Sequence, residues 1–464
     1  SAKKFDWERG KIWEFPLLLL LTASLVLFMR GGLQTIPINQ SNVYFSNKMF
    51  ANHAAVNFAW NFMKSLGYKE YEMNNPFELL DKEDAKKRVA ESLMPESIQV
   101  ADSAQSEVKI LNTDRPNVLL IIWESLTAKV VEPLGGKPHV TEQFNRLAKE
   151  GVLFTNLYAN GDRSDKGLVA ILSGYPSQPD KSIIKSPSKT RTLPMLPQKM
   201  ANAGYKTSFY YGGDLNFGNM NTYLRVGGMQ ELIDGSAFSK DDWNSKWGAH
   251  DHVVFDRLLA DLPNGSSGFF NTFFTLSSHE PFEFPSEPKF AGTDADAQFM
   301  SAHAYTDQSL GDFISEAKKR DWWANTLVVV IADHGHHLPT HEGAFNSPKK
   351  YHIPMLWLGG ALAVKDTTIG TVASQVDLPY TLLGLLGIDN SDFKWSQNLL
   401  GADNEHFAHY VFNKGFGVVS SDGVVVYDYV SKENIMSNGK EADKWQNIGK
   451  AITQIAYQDF FERK

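Results

Sequence analysis

Two apolar runs constrain this chain more than any other feature. Residues 117–123 read NVLLIIW and residues 326–332 read TLVVVIA. Each is continuous and rich in β-formers, the pattern of a strand buried on both faces. Between and around them, strand and helix patterns alternate. Residues 141–150 place Phe144, Leu147 and Ala148 on one helical face. Residues 207–211 and 269–276 (FFNTFFTL) read as strands, 309–319 as an amphipathic helix carrying Leu310, Phe313 and Ile314, and 354–358 as a further buried strand. Such alternation implies an α/β fold, with a mostly parallel central sheet flanked by helices.

The flanks differ in texture. Past residue 400, short strands at 416–419 and 423–429 are punctuated by Gly and Asp, and a last helix carries Trp445, Ile448, Ile452 and Ile455. This part reads as a smaller C-terminal α+β subdomain, or as an antiparallel extension of the main sheet. Before residue 115, residues 39–67 are rich in Asn, Phe and Ala with partial helical periodicity. Residues 82–106, with Pro95, read as an exposed helix and linker. The expected organisation is an anchor segment at 1–38, a helical connector at 39–114, a catalytic domain at 115–400 and the C-terminal subdomain at 401–464.

Residues 15–29 (FPLLLLLTASLVLFM) carry no charge. A bilayer span needs about 20 apolar residues, so this run is short, though weakly continued on both sides. Lys3, Lys4, Arg9 and Lys11 precede it. By the positive-inside rule the N-terminus is then cytoplasmic and the rest of the chain lies outside, either periplasmic or extracellular. A cleaved signal peptide and a buried core helix are the rival readings. Whether this is a single anchor or the last of several helices stays open.

Composition narrows the chemistry. With 464 residues, 42% apolar and 21% charged, the chain is globular and long enough for one large domain with appendages or for two. The net charge of −8 and the lack of a Lys/Arg-dense stretch with interleaved aromatics argue against nucleic-acid binding. Without cysteine there are no disulfides, no thiolate metal sites and no cysteine nucleophile.

In open α/β sheets, sites form beyond the carboxyl ends of the strands. The residues at those positions are Glu124 after the first run; Asp333, His334 and Gly335 after the second; Ser277, Ser278 and His279 after 269–276; and Gly212, Gly213 and Asp214 after 207–211. Singly, Glu124 reads as a helix cap and Asp333-His334-Gly335 as a turn. Together they offer two oxygens and a nitrogen, a donor set suited to Mn²⁺ or Zn²⁺, with Mg²⁺ as a further option. Ser164 stands where an apolar helical stretch begins, after Asn160-Gly-Asp-Arg, and a helix start attracts anions. Ser164 or Asp162 is equally an ordinary N-cap on this pattern. Arg163 and Lys166 either steady a phosphate or lie in solvent.

The order of these residues resembles the alkaline phosphatase superfamily, and within it the branch of lipoteichoic acid synthases and phosphoglycerol transferases. The likeness covers roughly residues 115–400. It implies one divalent metal, Mn²⁺ or Mg²⁺ in most members, held by Glu124, Ser164, Asp333 and His334, with Ser164 where the family mostly has Thr. Ser278-His279-Glu280-Pro281-Phe282 is similar to the motif of the family's substrate-side His. Asp214, in Tyr-Gly-Gly-Asp, matches an acid that touches glycerol phosphate in the synthases. Tyr305-x-Asp307, Trp247-Gly248-x-x-Asp251 and Ser374-x-x-Asp377 look like structural motifs of the family. The synthases carry a His, a Trp and an Arg around their substrate acid, whereas Gly212, Gly218 and Met220 stand nearby here. His336 and His337 are candidates for an extra ligand.

The resemblance implies a metal-dependent phosphotransferase acting on phosphodiesters. It would move a phospholipid head group such as phosphoglycerol to a glycan, polymer or water acceptor outside the membrane. Ser164 would carry a covalent phosphoryl group, and His279 would protonate the leaving oxygen. A phosphoethanolamine transferase or a phosphodiesterase of the same fold is the near alternative, and a membrane-tethered pseudo-enzyme is the non-enzyme one. Sulfatase chemistry ranks last. Its formylglycine needs Cys or Ser followed by x-Pro-x-Arg, and Ser164 is followed by Asp165-Lys166-Gly167.

Overall fold

A computed structural model describes residues 13–34, 36–46, 48–67, 74–93, 109–243, 245–262, 268–340, 345–401 and 405–463. The basic residues Lys3, Lys4, Arg9 and Lys11, and the linker around Pro95, lie outside the described residues. The chain divides into two compact units, Ser1–Tyr71 and Glu72–Lys464.

The first unit contains the helix Glu14–Arg30, followed by Met49–Ala55 and Phe58–Gly67. Glu14–Arg30 has 17 residues and leaves Phe15, Leu18, Leu19 and Leu20 exposed. Among the described residues no helix is long and apolar enough to cross a membrane. At 1.5 Å per residue this helix extends about 25 Å, against about 30 Å of hydrocarbon.

The second unit is built on a sheet of nine strands. In chain order they are β1 (Asn117–Trp123), β2 (Val152–Tyr158), β3 (Lys206–Tyr211), β4 (Glu231–Ile233), β5 (Phe269–Phe274), β6 (Thr326–Ala332), β7 (His352–Leu358), β8 (Thr367–Ile369) and β9 (Ala373–Ser374). Their order across the sheet is β4-β3-β5-β1-β6-β7-β2-β8, with β9 beside β2. All pairings are parallel except those of β7, which runs against both β6 and β2. Every residue of β1, β5 and β6 is buried, as the unbroken apolar runs require. Helices flank the sheet in two mutually packed groups. Glu142–Ala148, Asp251–Asp261 and Ala295–Ala317 form one, and Ser164–Ser173, Leu196–Asn202 and Asp377–Leu385 the other.

Three expectations change in detail. The helix read at 309–319 is the end of Ala295–Ala317. The strand read at 354–358 starts at His352 and is antiparallel to its neighbours. Strands β2, β4, β8 and β9 are short or half-wet and lack a continuous apolar run, so the sequence pattern does not show them.

The C-terminal part is an antiparallel meander of β10 (Phe407–Phe412), β11 (Gly415–Ser420), β12 (Val424–Asp428) and β13 (Glu433–Ser437), backed by the helix Ala442–Glu462. Phe407, Phe416, Val418, Tyr427, Trp445 and Ile452 form its core, and Leu93 of Lys82–Leu93 joins them. The helix read there as exposed therefore packs on Ala442–Glu462 along one side. The meander is a sheet of its own, and β10 meets the rest of the unit where the Val411 N–H donates to the Asn160 carbonyl at 3.0 Å.

Candidate active site

Strands β3, β5, β1 and β6 lie side by side and run parallel, so their carboxyl ends share one edge. Glu124 follows β1 and is 3% exposed. The next residue, Ser125, has a left-handed backbone with φ of 59°, sparsely populated for a residue with a side chain. That turn lets the Ser125 N–H donate to Asp333 Oδ1 at 2.7 Å and its hydroxyl donate to Glu124 Oε1 at 2.7 Å. The Glu124 N–H donates to Thr275 Oγ1 at 2.9 Å, and Ser278 Oγ donates to the Glu124 carbonyl at 2.7 Å, so the end of β5 clamps the end of β1.

From β6 come Asp333 and His334. The His334 N–H donates to Asp333 Oδ1 at 2.7 Å. His334 Nδ1 lies 2.9 Å from the Gly335 carbonyl, which makes Nδ1 the donor and leaves the Nε2 lone pair for the site. Gln375 braces this turn by donating to the Ala332 and Asp333 carbonyls at 2.7 and 2.6 Å.

Ser164 is the first residue of the helix Ser164–Ser173. Its hydroxyl donates to Glu124 Oε2 at 3.1 Å and lies 3.5 Å from His334 Nε2. Gly167, one turn on, permits this approach, since a Cβ there would sit 1.9 Å from the Asp333 carbonyl oxygen. Glu124, Asp333 and His334 bring one ligand atom each within 4.8 Å of one another. Of the four residues expected to hold a metal, three converge as a donor group and the Ser164 hydroxyl adjoins them.

The electrostatics show what this group lacks. Burial raises the Glu124 pKa, but the His334 hydrogen bond and the charges of His279 and His334 outweigh it and hold the carboxyl well below its usual range. Burial and the charge of Glu124 push Asp333 up to about 7. For His334, burial lowers the pKa, but the charges of Asp333 and Glu124 raise it to about 10. With no cation, Nε2 takes a second proton, and that charge stands where a bound cation would use the Nε2 lone pair instead. Asp333 Oδ2 is buried with no hydrogen-bond partner, a costly arrangement unless something binds there. Two carboxylates, an imidazole and a hydroxyl fit a hard or borderline divalent cation.

The other expected residues are more dispersed. His279 is half-buried; its Nδ1 meets the Glu280 carbonyl at 2.7 Å and its ring stands edge-on to Trp247 at 5.1 Å. Asp214 is half-buried and accepts the Asn216 N–H at 2.8 Å. Arg163 is exposed at the head of the Ser164 helix. Lys166 lies neither in solvent nor free to meet a phosphate: it is buried and ion-paired to Asp162 at 3.1 Å. Their i, i+4 spacing was the available signal. His336 stacks on Phe299 at 4.7 Å and lies outside the donor group.

The three supporting motifs show backbone clamps. Asp251 accepts from Leu276 N–H and Thr306 Oγ1, both at 2.7 Å. Asp307 accepts from Gln143 and Phe144 N–H, and Asp377 from Ser374 and Gln397 N–H. Sequence reasoning missed the bracing roles of Ser125 and Gln375, which follow the ends of β1 and the two-residue β9, and it gave Trp247 no part in the site.

Comparison with known proteins follows the same lines. A family model described as Sulfatase matches residues 116–388, more than half of the chain. Lipoteichoic acid synthase 2 of Bacillus subtilis is 26% identical over 306 residues, covering 60% of this chain and 46% of that protein. Phosphoglycerol transferase I of Citrobacter koseri is 24% identical over 300 residues, covering 61% and 39%. The chain thus spans about half the length, or less, of these relatives. A solved protein of the alkaline phosphatase superfamily from Vibrio parahaemolyticus superposes with a TM-score of 0.69 at 26% identity, covering 84% of this chain and 98% of that one. The lipoteichoic acid synthase LtaP of Listeria monocytogenes shares the fold, with a TM-score of 0.65 at 16% identity over 83% and 99%. The chain belongs to the sulfatase family of the alkaline phosphatase superfamily, a family of enzymes.

Proposed function

We propose that this chain is a divalent-metal-dependent phosphotransferase that moves a phospholipid head group to an acceptor hydroxyl outside the membrane. The observation that carries the reading is the Ser164 hydroxyl. It sits at the start of a ten-residue helix, 3.1 Å from Glu124 Oε2 and beside the unsatisfied Asp333 Oδ2. The names of the relatives favour phosphoglycerol as the transferred group.

Glu124, Asp333, His334 and Ser164 would hold the cation, with Mn²⁺ preferred and Mg²⁺ or Zn²⁺ as alternatives. When bound, it would acidify the hydroxyl and take up charge on the phosphoryl oxygens. Ser164 Oγ, having given up its proton, attacks the phosphorus and the bond to the diacylglycerol oxygen breaks, His279 delivering a proton to that oxygen; the head group stays on phosphorus, as a phosphodiester of Ser164. The free N–H groups of the helix start face the developing charge. An acceptor hydroxyl or water then attacks the same phosphorus, the bond to Ser164 Oγ breaks, and the head-group phosphoryl leaves on the acceptor while the Ser164 hydroxyl takes a proton back. Membrane attachment through Glu14–Arg30 belongs to the proposal, supported by the exposed apolar side chains of that helix.

A second donor, phosphatidylethanolamine, has one observation in its favour. Phe217, next to the Asp214 turn, lies 5.8 Å from the Trp247 ring, and aromatic faces near a carboxylate suit an ammonium group.

The test is turnover of phosphatidylglycerol, phosphatidylethanolamine and p-nitrophenyl phosphodiesters with EDTA, Mn²⁺, Mg²⁺ or Zn²⁺. Metal-dependent release of diacylglycerol, lost in Ser164→Ala, is expected. Full activity in Ser164→Ala, or turnover of an aryl sulfate alone, would overturn the reading.

A further inference from the structure

Beyond its apolar helix, the first unit is built with polar groups inside and rings outside. Among the described side chains of residues 39–62, the buried ones are Ser41, Tyr44 and Asn52. Asn39 caps the short helix Gln40–Val43: its Oδ1 accepts the Ser41 N–H, and Asn42 Oδ1 accepts the Asn39 N–H, both at 2.8 Å. Asn52 Oδ1 accepts the N–H groups of Phe45 and Ser46 at 3.1 and 2.9 Å, and its amide donates to the Ser46 carbonyl at 2.6 Å. Gln40 Nε2 donates to Asn61 Oδ1 at 3.0 Å and so ties this turn to Phe58–Gly67. The phenyl rings stand outside. Phe45, Phe50, Phe58 and Phe62 are between 53% and 87% exposed, and the last two stack at 6.4 Å.

Water alone gives no reason for this inversion. Four rings held in solvent forgo the burial that normally drives folding, and a grouped set of them marks a surface that meets something apolar. In apolar surroundings the polar interior has a purpose, because backbone groups outside helices must then be satisfied from within, as Asn52 does for Phe45 and Ser46. Charge narrows the partner. Between Glu14 and Glu70 the sequence has no Asp or Glu, while Arg30, Lys48, Lys64 and Lys69 are basic, in a chain of net charge −8. The apolar helix Glu14–Arg30 precedes this segment in the same unit.

We propose that residues 39–62 form an interfacial module that lies in the surface of an anionic phospholipid bilayer. Its rings enter the boundary of the acyl chains, and its basic side chains meet the head-group phosphates. The inference rests on the membrane attachment in the proposed function and is independent of the chemistry. It makes the membrane contact of this protein a folded surface as well as a helix.

The test uses the full chain, whose lack of cysteine lets a nitroxide be placed on one introduced thiol. Ala54→Cys labels an exposed site one turn from Phe50 and leaves every ring in place; Lys149→Cys labels an exposed site in the second unit. Each protein is reconstituted into vesicles of phosphatidylglycerol or of phosphatidylcholine. Collision of the label with oxygen, which concentrates in hydrocarbon, is compared with collision with a water-soluble nickel chelate. On phosphatidylglycerol, oxygen should dominate at position 54 and the nickel chelate at position 149. Adding Phe50→Ser and Phe58→Ser should reverse the ratio at 54. Adding Lys48→Glu should raise nickel access at 54 on phosphatidylglycerol and leave it unchanged on phosphatidylcholine. A position 54 as open to nickel as position 149, in protein that floats with the vesicles, would overturn the module and keep the anchor. A label shielded from both reagents, or broadened by a second label nearby, would overturn it in favour of a protein partner or a second copy. Protein that does not float with the vesicles would sink the attachment and the module together, while phosphodiester turnover by the same preparation reports separately on the chemistry.

Discussion

At the scale of single residues, Ser164 and Asp333 make opposite predictions. Ser164→Ala leaves Glu124 and His334 in place but removes the proposed nucleophile. It should lower turnover on the order of 10³-fold and abolish acid-stable labelling of the protein by a radiolabelled donor. Ser164→Thr keeps the hydroxyl and should retain the label. Asp333→Asn keeps the Oδ1 that accepts the Ser125 and His334 N–H groups. It replaces Oδ2, which has no hydrogen bond and only His334 Nε2 at 3.5 Å, with a neutral donor beside Glu124. The variant should melt higher than wild type in EDTA, because a buried carboxylate beside Glu124 becomes a neutral amide and this outweighs the lost 3.5 Å ion pair with His334 Nε2, yet bind Mn²⁺ on the order of 100-fold more weakly. A melting temperature unchanged in EDTA would count against this balance. Lys166 teaches the reverse lesson: a cation next to a candidate nucleophile is not thereby a ligand for phosphate, because Asp162 one turn earlier already holds it.

At the scale of elements, the contact between the Ser164 helix and the end of β6 decides the site. Gly167→Ala places a methyl carbon 1.9 Å from the Asp333 carbonyl oxygen, and backbone cannot step aside as a side chain can. The helix must retreat, at a cost of about 1–3 kcal/mol, and carry the Ser164 hydroxyl with it. Denaturant unfolding should show that modest loss, while turnover falls far more than stability. Asp251→Ala should do the opposite. It strands the buried Leu276 N–H and Thr306 hydroxyl, at about 1–3 kcal/mol each, and should lower stability first. Much of this was legible in the sequence. Strands β1, β5 and β6 are buried on both faces, so their apolar runs are unbroken, and the residue after each is where the chemistry gathers. Strand β2 escaped because its middle is half-wet. The first turns of Ala295–Ala317 escaped because buried His303, Thr306 and Asp307 interrupt their apolar pattern. Trp247 enters from a segment outside the strand ends, and sequence spacing says little about where such a segment returns.

At the scale of the whole molecule, the site depends on parts of the chain that are distant in sequence. The Ser125 N–H that orients Asp333 comes from 208 residues earlier, and the Asn160 amide donates at 2.7 Å to the His409 carbonyl of the C-terminal meander, 249 residues later. A cation bound by the native donors alone should raise the unfolding free energy by about 2.7 kcal/mol at a hundredfold excess over its Kd. Thermal melts of wild type against Asp333→Asn, with and without Mn²⁺, check this; an equal shift in both proteins would refute it. The separation of the donors also bears on how the protein is made. While the chain is being synthesised, Glu124 emerges long before Asp333 and His334, and β1 must wait for both of its neighbours, β5 and β6. No truncated product ending before β6 can assemble the donor set. On the proposed reading, capture of an ion would mark a chain whose translation has passed β6 and whose sheet has closed around β1, and activity would begin only once the fold around the donors is complete.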